Sequence, residues 1–241
     1  HRLDVFVKVD TGMHRLGLHP KRLKETVARL REAESVGHIT LMSHFATADD
    51  ASLGIAEPMR VFQEAAAGLD LPASLANSAA LMRYPESHGD WVRPGIMLYG
   101  ASPFADRNGQ DIGLLSAMTL ESRLIAQRPL RKGEAVGYGG AFVAPKDMRI
   151  GIVACGYADG YPRHADTGTP ILVEGHRTRT LGRVSMDMLC VDLSPIPNGH
   201  VGSLVTLWGN GLPAEEVAAS AGTIAYELFT GIAPRVRIEE V

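Results

Sequence analysis

Over residues 1–100 the hydrophobic period switches repeatedly between two and about 3.6, and no other feature narrows the fold as far. In "DVFVKVD" (4–10), Val5, Val7 and Val9 alternate with Phe6, Lys8 and Asp10, the pattern of a strand whose faces meet different surroundings. "PKRLKETVARLREAE" (20–34) then sets Leu23, Val27 and Leu30 on one helical face. "HITLMSHFA" (38–46), "PASLANS" (72–78) and "WVRPGIMLYG" (91–100) predict further strands, and "EPMRVFQEAAAGLD" (57–70) and "SAALMRYPES" (78–87) predict helices. Such βα alternation implies a parallel sheet with helices packed outside it. Four strands leave two unpaired edges, whereas a closed barrel of this type has eight. The expectation is the C-terminal half of a (β/α)8 TIM-type barrel, cut from within the barrel, with its first half upstream.

From about residue 115 the texture changes to strands separated by Gly and Pro turns: "MTLESRLIAQRPL", "AVGYGGAFVAP", "DMRIGIVACGY", "TPILVEGHRTRTLGRV", "MLCVDLSP" and "GSLVTLWG". A closing helical stretch, "PAEEVAASAGTIAYELFTGI", leads to a last short strand near "RVRIEEV". The fold class is therefore α/β plus β, with a barrel half over residues 1–108 and a mainly-β domain over 109–241. The linker lies around "GASPFADRNGQDIG". The 24 Lys and Arg against 27 Asp and Glu give a net charge of -3, so bulk charge supplies no reason for nucleic acid or an anionic membrane as partner. No apolar run approaches the roughly 18 residues of a membrane span. Cys155 and Cys190 sit inside apolar runs and read as buried free thiols, which fits a reducing cytoplasm.

In a parallel βα array, ligands meet the carboxyl ends of the strands. The polar residues there are Asp10, Thr11 and Arg15 after the first strand, His44 after the second, Asn77 and Ser78 after the third, and Arg93 with Pro94-Gly95 in the fourth. Singly each has a bland explanation: a satisfied core histidine, a helix N-cap at Ser78, a surface charge at Arg93. Together they form an anion site, with Ser78 at a helix start and Gly95 and Ile96 offering backbone N–H groups to a phosphate. The nine histidines show no paired metal-ligand spacing, and no metal is expected. In the second domain, "VGYGGAF" sets Tyr138 among glycines, and "CGYADGYPR" and "GRVSMDML" place polar residues on turns.

The strings "VKVDTGMHRLGL", "HFATADD", "NSAA", "RPGIMLYG", "VGYGGAF", "GYADGYPR" and "GRVSMDM" follow one another in this chain, and in this order the chain resembles bacterial alanine racemases over nearly its whole length. The resemblance implies a cytoplasmic pyridoxal 5'-phosphate enzyme interconverting L-alanine and D-alanine, the latter for cell-wall peptidoglycan. It also implies a homodimer with shared active sites. Arg93 resembles the arginine that bonds the cofactor's pyridine nitrogen; Ser78, Gly95 and Ile96 resemble phosphate contacts. His44 resembles the histidine linking Arg93 to the catalytic tyrosine, which Tyr138 matches as one of two bases. Arg15 and the backbone N–H of Met186 resemble contacts to the substrate carboxylate, with Asp187 alongside. Tyr157 resembles a tyrosine at the mouth of the site, and Lys8 matches a lysine that is carbamylated in some relatives.

Two departures accompany the resemblance. Pro234 stands before Arg235-Val236, where some relatives carry a phosphate-contacting tyrosine. The family's second base, a lysine that also holds the cofactor covalently in a segment like "KADAYGHG", has no counterpart among Lys8, Lys21, Lys24, Lys132 and Lys146. The 241 residues alone are therefore expected to be inactive. Two other readings are a related pyridoxal-phosphate amino-acid decarboxylase and a non-catalytic dimerisation or cofactor-binding fragment.

Overall fold

The computed structural model describes residues 1–240, which fall into two compact units: residues 1–98 with 103–106, and residues 99–102 with 107 onward. In the first unit, β1 (Leu3–Lys8), β2 (Val36–Met42) and β3 (Ala73–Ser74) form a parallel sheet in that order. Val7 lies opposite Leu41, and Leu41 opposite Ala73. Val7, Val9 and Leu41 are buried while Phe6 is exposed, so the alternation in β1 marks the covered face. Helices α1 (Leu23–Glu32), α2 (Ala56–Ala66) and α3 (Ser78–Arg83) carry the connections. Leu23, Val27 and Phe62 are the buried side chains of α1 and α2. Truncating a fully buried leucine such as Leu23 or Leu41 to alanine would cost about 2–5 kcal/mol.

The strand expected over 91–100 does not form. Trp91 makes one parallel bridge to Ser74, and Ile96–Tyr99 is a 3-10 turn. Pro94 removes a ladder donor, and the Arg93 N–H is already spent on Ala76 O at 2.9 Å. The chain thus tracks β3 without pairing along it.

The second unit is a closed antiparallel barrel in the order β10-β7-β4-β11-β8-β9. Its strands are β4 (Leu120–Leu130), β7 (Met148–Val153), β8 (Pro170–Val173), β9 (His176–Leu181), β10 (Leu189–Asp192) and β11 (Leu204–Trp208). Closure leaves no barrel edge open to further pairing. Leu124, Val153, Ile171, Val191, Val205 and Leu207 are buried. A separate hairpin pairs β5 (Ala135–Val136) with β6 (Phe142–Val143). The closing helical stretch is two helices, α4 (Ala214–Ser220) and α5 (Ala225–Thr230), with Gly222 at φ +68° ending the first.

No strand forms over 235–240: the Val236 N–H folds back to Ala233 O at 3.0 Å, closing a turn with Pro234 and Arg235 at its centre; residue 241 lies outside the described residues. Both cysteines are free, and burial pushes the Cys155 thiol up to about 12. Among the described residues no helix is long and apolar enough to cross a membrane.

Candidate functional site

In the first unit the carboxyl ends of the strands are tied together by side chains. The Thr11 and Ser43 hydroxyls are 2.7 Å apart, and Ser43 Oγ donates to Val9 O at 3.0 Å, joining the end of β1 to that of β2. The half-buried Arg93 guanidinium donates to Ser74 Oγ and to Ser43 O, each at 2.7 Å, and to Leu75 O at 3.2 Å. It therefore joins β2 to β3. Nε–H and one N–H of Nη1 have no acceptor among the described residues.

Arg93 Nη2 also lies 3.4 Å from His44 Nδ1. The His44 imidazole is held below its ordinary range, first by burial, then by Arg93, with smaller contributions from Arg15 and Lys8. A neutral ring accepting at Nδ1 keeps its proton on Nε2. Arg93 itself is lowered by burial, yet arginine remains charged near neutrality. The pair is thus a cation next to a neutral histidine with one N–H to offer.

Arg15 is exposed on a loop closed by Asp10 N→Leu18 O (2.9 Å) and Leu18 N→Lys8 O (2.8 Å). The Asp10 carboxylate accepts from the N–H groups of Gly12 and His14 and lies 3.0 Å from His14 Nδ1. These bonds, the His14 backbone first, lower its proton affinity. A Cβ on Gly17 would stand 2.7 Å from Asp10 N, so only glycine lets the loop close this tightly.

Ser78 is not the N-cap of α3. Asn77 is, accepting from Ala80 N at 2.9 Å. That frees Ser78 Oγ to accept from Gly95 N at 2.8 Å. The buried Ser78 hydroxyl then has a proton but no acceptor among the described residues, and the same holds for the Ile96 N–H. Two unfilled donors held by one hydrogen-bonded turn suit an anionic group. The donor set of Arg93, Ser78 and Ile96 therefore fits a phosphorylated heteroaromatic cofactor, although the Gly95 N–H is spent within the protein.

In the second unit, Tyr138 stands 71% exposed on the turn between β5 and β6. Gly137, Gly139 and Gly140 have φ of +75°, +71° and +58°, conformations that side chains resist. Tyr157 and Met186 occupy two turns bonded to each other, by Tyr157 N→Ser185 O at 3.1 Å and Ala158 N→Met186 O at 2.9 Å. A Cβ on Gly156 would lie 2.3 Å from Ser185 O and 2.4 Å from Met186 O, so glycine permits this contact. The Met186 N–H has no acceptor among the described residues.

Two arginines emerge to which the sequence assigned no role, Arg183 within one of its motifs and Arg235 beside Pro234. Arg183 Nη1 is 3.5 Å from where a Cβ on Gly139 would stand, and with Arg163, His164 and Asp166 it lines a cavity of about 630 Å³. Arg235 bridges Asp159 and Asp187, at 2.7 Å to each. Among the described residues no cluster of three His, Cys, Asp or Glu side chains could hold a metal ion.

Residues 1–103 match the family described as "Alanine racemase, N-terminal domain", and residues 117–239 match "Alanine racemase, C-terminal domain". The chain is 63% identical over 239 residues to an alanine racemase of Thiobacillus denitrificans, covering 99% of this chain and 65% of that protein. It superimposes on the biosynthetic alanine racemase of Pseudomonas aeruginosa with a TM-score of 0.93 at 49% identity, covering 98% of this chain and 66% of that one. The alanine racemase of Bartonella henselae, solved with covalently bound pyridoxal phosphate, matches with a TM-score of 0.85 at 29% identity over 97% of this chain and 65% of that one. The chain thus spans about 65% of the length of the Thiobacillus relative. The TIM-barrel-like first unit, the β-barrel of the second and these matches along both establish that the chain belongs to the alanine racemase family.

Proposed function

We propose that these residues serve an alanine racemase in which one base removes the α-proton of alanine and a second base on the opposite face of the substrate delivers a proton in its place, in a cytoplasmic homodimer whose sites draw on both subunits. Pyridoxal phosphate, when bound, supplies the electron sink that acidifies the α C–H bond. Arg93 would donate to its pyridine nitrogen; Ser78 and Ile96 would hold its phosphate, with Gly95 keeping Ser78 Oγ in place. Arg93 stays protonated near neutrality, so it would donate to that nitrogen and not accept from it.

Tyr138 takes the α-proton from L-alanine at its phenolic oxygen and returns it in the reverse direction. A free phenol with a pKa of about 10 is a poor base at neutral pH. The Nε2–H of a neutral His44, backed at Nδ1 by Arg93, would donate to the phenolate and favour it. Arg15 and the Met186 N–H hold the substrate carboxylate, Tyr157 stands at the mouth of the site, and Lys8, carbamylated as in some relatives, would offset the charge of Arg15. The second base and covalent anchor would be a lysine, and none of Lys8, Lys21, Lys24, Lys132 and Lys146 lies in a segment that matches the family's.

The observation that carries this reading is the Arg93–His44 pair, a fixed cation backing a histidine that burial keeps neutral. In the complete enzyme, Tyr138→Phe should lower alanine racemization by about 10²–10⁴-fold, the usual cost of losing a positioned base, while the absorbance of lysine-bound cofactor is retained. A Tyr138→Phe enzyme of near-normal activity would remove Tyr138 from the chemistry.

A further inference from the structure

Three segments of the second unit meet at Arg235. Its Nε reaches Asp159 Oδ1 and its Nη2 reaches Asp187 Oδ1, both at 2.7 Å. Asp159 is already tied into its own turn, since its Oδ2 accepts from Gly156 N at 2.9 Å. The segment before Arg235 is clipped to the same turn by Ala233 N→Asp159 O at 3.1 Å. A Cβ on Gly160 would lie 2.2 Å from Gly231 O, so this contact too is backbone on backbone. Asp187 directly follows Met186, whose N–H is free of acceptors among the described residues, and Asp159 lies two residues after Tyr157.

We propose that Arg235 is a positioning residue, a two-carboxylate clamp that holds the Tyr157 turn against the Met186 turn and so aims the Met186 amide at the substrate carboxylate. A single bridging side chain fixes the distance between two carboxylates in a way two separate surface pairs do not, because the planar guanidinium presents Nε and Nη2 in a rigid fork. Arg235 is 49% exposed and Asp187 55%, and exposed ion pairs add little to global stability. The clamp therefore acts on geometry. The proposal rests on the racemase reading for its kinetic consequence, though the clamp itself can be tested without it.

The test compares Arg235→Gln, Arg235→Lys and Asp187→Asn in the complete enzyme, with Arg237→Gln as a control of equal charge change. A carboxylate contact made in ground and transition states alike appears in KM and not in kcat. Arg235→Gln should raise KM for both alanine enantiomers about 10-fold or more, the scale of one impaired hydrogen bond to a charged group, with kcat and Tm little changed. Arg235→Lys, which cannot fork, should recover KM only in part, and Arg237→Gln should behave as wild type.

Hydrogen exchange at the Tyr157 and Ala158 amides, measured without substrate or cofactor, should speed up in Arg235→Gln and in Asp187→Asn. Unchanged KM with unchanged amide exchange would overturn the proposal, as would a fall in kcat at constant KM. If Arg235→Gln fails to fold, Asp187→Asn, which keeps the Asp159 limb, decides in its place. An unaltered complete enzyme without racemase activity would defeat the functional reading, and the amide exchange would still decide the clamp.

Discussion

Replacing Arg93 with alanine separates what this side chain does for the fold from what it does for chemistry. Its shortest hydrogen bonds, 2.7 Å each, go to Ser74 Oγ and Ser43 O, on residues only 0% and 1% exposed. A hydrogen bond from a charged donor contributes about 1.5–3 kcal/mol, and stranding a buried acceptor costs on a similar scale. Two such losses come to about 3–6 kcal/mol. Water entering the half-buried space would satisfy part of the loss, so the expected destabilisation is about 3 kcal/mol, a large share of the roughly 5–15 kcal/mol that holds a typical domain. Arg15→Ala, on an exposed loop, should change stability by no more than about 0.5 kcal/mol, although both substitutions should abolish most activity. The assay is urea unfolding combined with hydrogen exchange at the Leu41 amide, which donates to Pro72 O at 2.7 Å in the middle of the first sheet. A loss below about 1 kcal/mol in Arg93→Ala, or equal losses in the two variants, would show that the guanidinium does not staple the strand ends.

His44 should titrate below the ordinary imidazole value of 6.5 when followed by its ring Cε1–H shift, and Arg93→Gln should raise that midpoint by removing a neighbouring cation; an unchanged midpoint would contradict the pairing. Because the folded state holds this proton more weakly than the unfolded chain, the His44 contribution to stability is complete above about pH 6.5 and is lost as pH falls from there through the folded midpoint. His44→Asn should flatten that part of the stability profile. In the complete enzyme, mixing inactive Arg93→Ala and Tyr138→Phe homodimers should restore activity as subunits exchange, and proven exchange without recovery would argue against sites shared between subunits.

Periodicity was enough to place β1, α1, β2 and α2, because burial on one face forces apolar residues onto a period of two or 3.6 whatever the rest of the chain does. The turn strings around Tyr138, Tyr157 and Met186 were equally legible, since glycines there meet backbone constraints that other residues cannot. Residues 91–100 read as a strand by composition, but Pro94 and the early use of the Arg93 N–H, a tertiary matter, stopped the ladder. Ser78 looked like a helix cap until the fold supplied Asn77 for that task and Gly95 as a partner. Only the folded chain brings Arg235 to Asp159 and Asp187, 76 and 48 residues away, and only there do burial and Arg93 lower the proton affinity of His44. Local sequence sets which conformations each segment tolerates; the pairing of distant polar groups depends on which strand ends and turns the core brings together, and no local pattern encodes that.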